Sequence, residues 1–207
     1  AGGMIDIFAR TLQPRLAEGL GQPVIIENRG GASGTLAESM IAKSPPDGYT
    51  MMMSADFPPA NPHLFLNLNY DLFRDLAPVS MLLRVPLTLI VHPSVAASTV
   101  AEFIAHVRSR QGRFAYATTG TGTSNHLSMV FLKGRTGIEM THVPYKGGSQ
   151  AIADLIGGQV ESSLISITLA APQVRSGKAR AIALTGEKRA PLLPQVPTFG
   201  EAGFADF

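Results

Sequence analysis

Short apolar runs of strand length alternate with helix-period segments along this chain, and Gly- or Pro-rich turns separate them. Strands and helices in strict succession, joined by short links, predict an α/β fold with a mostly parallel sheet covered by helices. Ile5, Phe8, Leu12 and Leu16 recur at helical spacing, and Gly19 and Gly21 close that helix. Residues 23–27 (PVIIE) read as a buried strand, the segment through Leu36, Met40 and Ile41 as a short helix, and residues 49–53 as the next strand. Residues 57–75 are irregular, since Pro58, Pro59 and Pro62 break any helix. Apolar runs at 79–85 and 87–91, split by Pro86, predict a long strand pair linking two lobes. The alternation then restarts. Helices are expected near 100–110, through Leu127, Val130 and Phe131, and at 149–156 and 169–175. Strands are expected at 113–117, 140–143, 160–165 and 179–184.

Composition excludes several classes. The 207 residues are 45% hydrophobic and 15% charged, which fits a chain with a real core. The net charge of +2 and the scattered Lys and Arg give no track for a phosphate backbone, so no nucleic-acid partner is expected. The absence of Cys removes disulfides, zinc thiolates, iron–sulfur clusters and a Cys nucleophile. The His residues at 63, 92, 106, 126 and 142 show no metal-ligand spacing. No stretch approaches the ~20 apolar residues of a membrane span. No signal peptide is visible, and the chain opens abruptly at Ala1-Gly2-Gly3; the expectation is that a leader is missing from it.

Two loops carry the chemical signal. Gly2-Gly3, with Asp6 in the following turn, opens the first helix. Thr118-Thr119-Gly120-Thr121-Gly122-Thr123-Ser124 follows a strand and opens another, with His126 in its first turn. Glycine lets a ligand approach the main chain closely. A helix N-terminus offers unpaired N–H groups and partial positive charge, which suit a carboxylate or phosphate without Arg or Lys. Two such loops, one in each α/β half, suggest two jaws on one anion. The residues equally fit ordinary glycine turns with Thr/Ser caps, with Asp6 as a helix-dipole partner and His126 as a capping, packing residue. Lys146, in Tyr145-Lys146-Gly147-Gly148, is either a neutralising cation or a plain loop lysine. The second loop lacks the Lys of a P-loop and the third glycine of a dinucleotide fingerprint, so no nucleotide and no cofactor is expected. Ser124 and His126 diverge by about 200° around a helix, which makes a poor nucleophile and base, and no G-x-S-x-G elbow is present.

The stretches GQPVIIENRGGASG, AKSPPDGYTMMMS, NPHLF, FRDLAPVSMLL, ATTGTGTSNHLSM, MTHVPYKGGSQAIADLIGGQV and GKARAIALTGEKRAPLLPQVPTFGEAGF run in order over nearly the whole chain. Together they resemble the Bug/TctC receptors, the extracytoplasmic solute-binding subunits of tripartite tricarboxylate transporters. The resemblance implies a two-lobed periplasmic-binding-protein fold of type II, a Venus flytrap. Lobe one would span 1–88 and lobe two 89–207, with the hinge near 85–92. It also implies that loops of both lobes hold a small mono-, di- or tricarboxylate through backbone N–H groups and bridging waters. Carried over, the contacts are Gly2, Gly3 and Asp6, then Thr119, Gly120, Gly122, Thr123, Ser124 and His126, with Ser54 and Asp56 facing the cleft. Met4, Phe57, Ile165 and Asp6 would line it and set specificity.

Three departures from the family pattern bear on these expectations. The family has a strand before Gly2-Gly3, it continues past EAGF to complete lobe one, and it often carries Asp-Asn where this chain has Ile165-Ser166. Lobe one is therefore expected to be incomplete. The implied protein is a periplasmic monomer with no catalytic residue, no metal and no cofactor, which hands its solute to membrane transporter subunits. The alternatives are a ligand sensor that signals to a membrane partner and a hydrolase using Ser124.

Overall fold

The computed structural model describes residues 3–55, 58–110, 112–205 and 207. Its centre is a five-stranded sheet made of β1 (Leu87–Val91), β2 (Ala115–Thr118), β3 (Thr141–Pro144), β4 (Ser162–Ser166) and β5 (Arg180–Leu184). The strand order is β3-β2-β4-β1-β5. β2 runs parallel to β3 and β4, whereas β1 runs antiparallel to both β4 and β5. The sheet is thus mixed rather than mostly parallel: four strands run the same way, and the reversed β1 wedged among them makes two of the four pairings antiparallel.

Period-two alternation sorts the strand residues onto two helical layers. Leu89 and Val91 pack with Phe103 and Val107 of α5 (Val100–Ser109) and with Met129 and Leu132 of α6 (Ser124–Thr136). Ile90, between them, points the other way. It joins Ala151 and Leu155 of α7 (Gly148–Ile156) and Ala170 of α8 (Ile167–Arg175). Near-continuous apolar strands are the expected signature of a sheet covered on both faces. The helices stop where their caps dictate. Thr99 accepts from the Glu102 N–H to open α5, and Gly137 closes α6 in the left-handed region at φ 65°.

The first part of the chain is held differently. It contains α1 (Met4–Leu20), α2 (Thr35–Ala42), α3 (Asn61–Leu64) and α4 (Leu72–Asp75). α1 ends at Gly21, at φ 63°. The expected strands at 23–27, 49–53 and 79–85 are not strands: no described residue pairs with them in a ladder. Ile25, Tyr49 and Val79 are 83%, 87% and 87% exposed. A β-prone run supplies half of a ladder, and without the other half it forms no ladder hydrogen bonds. A polar knot organises this region. The fully buried Glu38 of α2 accepts from Asn61 Nδ2 at 2.9 and 3.0 Å and from the Tyr70 hydroxyl. Burial first, and then the Glu38 carboxylate, raise the Tyr70 phenol above its usual pKa.

The two halves should respond differently to truncation. Phe103, fully buried and edge-on to Phe114 at 5.7 Å, anchors one helical layer. Phe103→Ala should cost about 3–5 kcal/mol in urea unfolding. Ile25→Thr should change stability by under about 0.5 kcal/mol. Equal losses at the two sites would refute this division.

Candidate ligand-binding site

Topology places the site. β2 leads through α6 to β3 on one side of it, and β4 leads through α8 to β5 on the other. The connections diverge between β2 and β4, and in open α/β sheets ligands bind outside the strand carboxyl ends at such a switch point. The loop after β2 and residues 145–147 after β3 lie on that edge, as do Ser166 and the start of α8. Thr119, Gly148, Ile165 and Leu169 converge there. A Cβ on Gly148 would sit 2.5 Å from Leu169 Cδ1, 3.4 Å from Ile165 Cδ1 and 3.8 Å from Thr119 Cγ2.

The loop after β2 is folded by its own polar groups. The Gly120 N–H donates to Thr118 Oγ1 at 3.2 Å, and the Gly122 N–H donates to His126 Nδ1 at 3.1 Å. Thr123 Oγ1 lies 2.6 Å from the Gly120 carbonyl and also bonds Asn125 Oδ1, which accepts from Thr119 Oγ1 at 3.1 Å. Gly120 and Gly122 have φ of 129° and 81°, and a Cβ on Gly122 would lie 2.1 Å from Leu64 Cδ1. Their N–H groups therefore serve the loop, and the outward donors are those of the first turn of α6. The helix's first main-chain bonds leave the N–H groups of Ser124, Asn125 and His126 without a carbonyl four residues back.

The first-half residues meet this edge through the turn at Asn28-Arg29-Gly30-Gly31, which the sequence shows as a turn but not as a contact. Gly3 caps α1 with no side-chain acceptor. Asp6, 7% exposed, accepts from Arg10 Nε at 2.9 Å and from Asn28 Nδ2 at 2.8 Å, which ties the first turn of α1 to residues 28–31. Ser33 Oγ donates to the Thr121 carbonyl, and an added Cβ on Gly30 would lie 3.6 Å from the Lys146 carbonyl. Ala32 and Ser33 hold φ of 47° and 50°, values that non-glycine residues seldom adopt and that cluster at functional sites. The signal in the sequence was the glycine-flanked GGASG itself. Ser54 is exposed in an irregular segment, while Gly2, Asp56 and Phe57 lie outside the described residues.

Behind the loop two histidines stack. The rings of His126 and His142 lie 4.2 Å apart at 26°, and Tyr116 stacks on the far face of His142 at 5.1 Å. His142 Nε2 and Thr118 Oγ1 share a hydrogen bond of 2.6 Å. Burial lowers the His126 pKa, and the Lys133 charge adds to this. Burial, then His126 and Lys133, push His142 down to about 4. Tyr145 donates to Asp154 Oδ2 at 2.6 Å, and Lys146 is exposed. Ile165 and Ser166 are buried, and Ser166 bonds Thr168 at 3.1 Å. Ser124 Oγ has no hydrogen-bonded base among the described residues. No group of three or more His, Asp or Glu among them is arranged to hold a metal.

A family model, the tripartite tricarboxylate transporter family receptor TctC, matches residues 8–207. The chain belongs to the TctC receptor family. It is 36% identical over its full length to the protein BugT of Bordetella pertussis, of which it covers 64%. It is similar to two solved structures. One is R. palustris Rpa4515 with adipate, at 35% identity and a TM-score of 0.93, covering 100% of this chain and 70% of that one. The other is MatC from Rhodopseudomonas palustris with bound malate, at 34% identity and a TM-score of 0.93, covering 100% and 71%. This TctC chain thus spans about three fifths of the length of the curated relatives it matches. Its α/β fold is that of these receptors, and TctC proteins are solute-binding receptors rather than enzymes. No described helix is long and apolar enough to cross a membrane.

A shallow concavity of about 420 Å³ lies elsewhere, beside β5, between Pro93, Val174 and Val196. Its one charged lining residue, Arg180, is committed to the carbonyls of Val95 and Ala97 at 2.8 and 3.2 Å, which leaves it little for a ligand. The switch-point edge therefore remains the better site.

The tight seat of Gly122 is testable by a double-mutant cycle. Gly122→Ala should destabilise by about 1–3 kcal/mol, from backbone strain plus the Leu64 clash. Adding Leu64→Ala should recover the clash but not the strain, so the two changes couple by about 0.5 kcal/mol or more. Strict additivity in urea titrations would contradict the contact.

Proposed function

We propose that this chain is the solute-binding part of a periplasmic receptor. It captures a small carboxylated solute between lobes spanning 1–88 and 89–207 and delivers it to membrane transporter subunits. The lobes turn about a hinge near residues 85–92. The solute's carboxylate sits against the first turn of α6, held by the N–H groups of Ser124, Asn125 and His126, with the first turn of α1 behind Gly2 and Gly3 as the opposing jaw. Thr119, Gly120, Gly122 and Thr123 shape the first seat. Asp6 shapes the second, and Ser54 faces the cleft.

One observation carries this reading: the glycine loop and the bare helix start stand at the topological switch point, where an anion needs no cationic side chain. The adipate and malate in the two similar structures support a carboxylate. Main-chain donors are indifferent to what the carboxylate is attached to, so side chains such as Met4 and Ile165 select the solute. Ile165 and Ser166 bring no charge to that edge, so a ligand ammonium finds no carboxylate there.

Titration calorimetry against malate, adipate, citrate and acetate tests the proposal. At least one should bind saturably near neutral pH; no saturable binding across the panel would overturn it. The donors can be tested separately. Ser124 is the first helical residue and Thr123 before it is extended at ψ 158°, so proline fits there; it deletes the N–H together with the hydroxyl, and Ser124→Ala deletes the hydroxyl alone. Ser124→Pro should weaken binding about tenfold or more, as the loss of one charge-assisted bond requires. Ser124→Ala should cost much less. Equal losses in the two variants would assign the contact to the hydroxyl.

A further inference from the structure

The reading above leaves the side chains of the half-buried histidine pair without a role. His126 reaches the loop only as an acceptor. Its Nδ1 takes the Gly122 N–H at 3.1 Å, so the ring proton sits on Nε2 and Nδ1 must stay bare. His142 stacks on it at 4.2 Å and fastens the other end of the same loop through Thr118, whose hydroxyl in turn accepts from Gly120. The two rings therefore hold both glycines in place, one directly and one through Thr118.

We propose that His126, backed by His142, is a positioning residue whose neutral ring holds the anion-binding loop, so that protonation of His126 releases Gly122 and weakens solute binding. A proton on Nδ1 would face the Gly122 N–H donor to donor. It would also place a cation against the His142 ring. Burial and the Lys133 charge oppose that proton. Lys133, on the same helix, acts on both rings. It is occupied with the Met140 carbonyl at 3.2 Å and with Glu139 at 3.7 Å. Tyr116 of β2 covers the far face of His142, and Thr118 meets its edge. Both rings titrate below the ordinary histidine value. The loop is therefore intact at neutral pH, and the pair loses it as pH falls from the usual histidine range toward about 4.

The proposal rests on the solute-binding reading, but the two fail separately. A His126 that contacted the anion directly would bind it more tightly once charged, and a positioning His126 binds it less tightly. Affinity for the best ligand of the panel is measured at pH 7.5 and pH 5.0 for this chain and for His126→Asn, whose Oδ1 can accept from Gly122 but cannot titrate. Ligand protonation is common to both proteins and cancels. The chain should lose more affinity than the variant, by at most about tenfold for each pKa unit by which bound solute lowers the ring's pKa. An equal ratio in the two proteins, or a gain at pH 5.0, overturns the proposal. The Gly122 amide resonance gives a readout that needs no ligand. It should titrate together with the His126 ring protons, and a static Gly122 amide through that titration overturns the switch. A panel that does not bind while Gly122 still titrates would overturn the solute-binding reading and leave the loop switch standing.

Discussion

The reversed strand β1 is the constraint on which the rest depends. It sits between β4 and β5 with Leu89, Ile90 and Val91 fully buried, and it joins both helical layers to one sheet. Its register pairs Leu87 with Ser166, so β1 begins where β4 ends. The chain therefore enters the sheet at the edge that carries the site. Pro86 accepts there from the Ile167 N–H at 3.0 Å, and the Leu87 N–H donates to Thr185 Oγ1 at 2.9 Å. This short crossing lies beside the proposed anion seat.

The second half was legible because its signals were local and mutually consistent. Period-two runs lay between helix-period runs, and each had Gly, Pro or Thr at its ends; the helices and strands from α5 to β5 follow that pattern within a few residues. The reversal of β1 was not legible, because apolar periodicity is blind to strand direction. The first half misled for a related reason. Residues 23–27 and 49–53 carry β-prone side chains, yet a strand is a property of two segments, and no described residue supplies the second.

Much the same holds at the site. The Gly/Thr-rich loop and the helix it opens could be found by composition and position alone. What the glycines do could not. Gly120 and Gly122 direct their N–H groups into the loop, and their freedom from a side chain serves φ values and the approach of Leu64 rather than direct anion contact. The tie of Asn28 to Asp6, the bond of Ser33 across to Thr121 in the second half, and the stacking of His126 on His142 depend on contacts between residues far apart in sequence. Sequence spacing carries no trace of such contacts unless an alignment or a fold supplies it.

The central claim is that an anion is held by main-chain donors at the start of α6. The most direct measurement is a crystal structure of this chain with malate or adipate bound. The account predicts a carboxylate whose oxygens lie within about 3.2 Å of first-turn N–H groups between Ser124 and His126. An ordered ligand held only by side chains, or seated in the concavity beside β5, would contradict it.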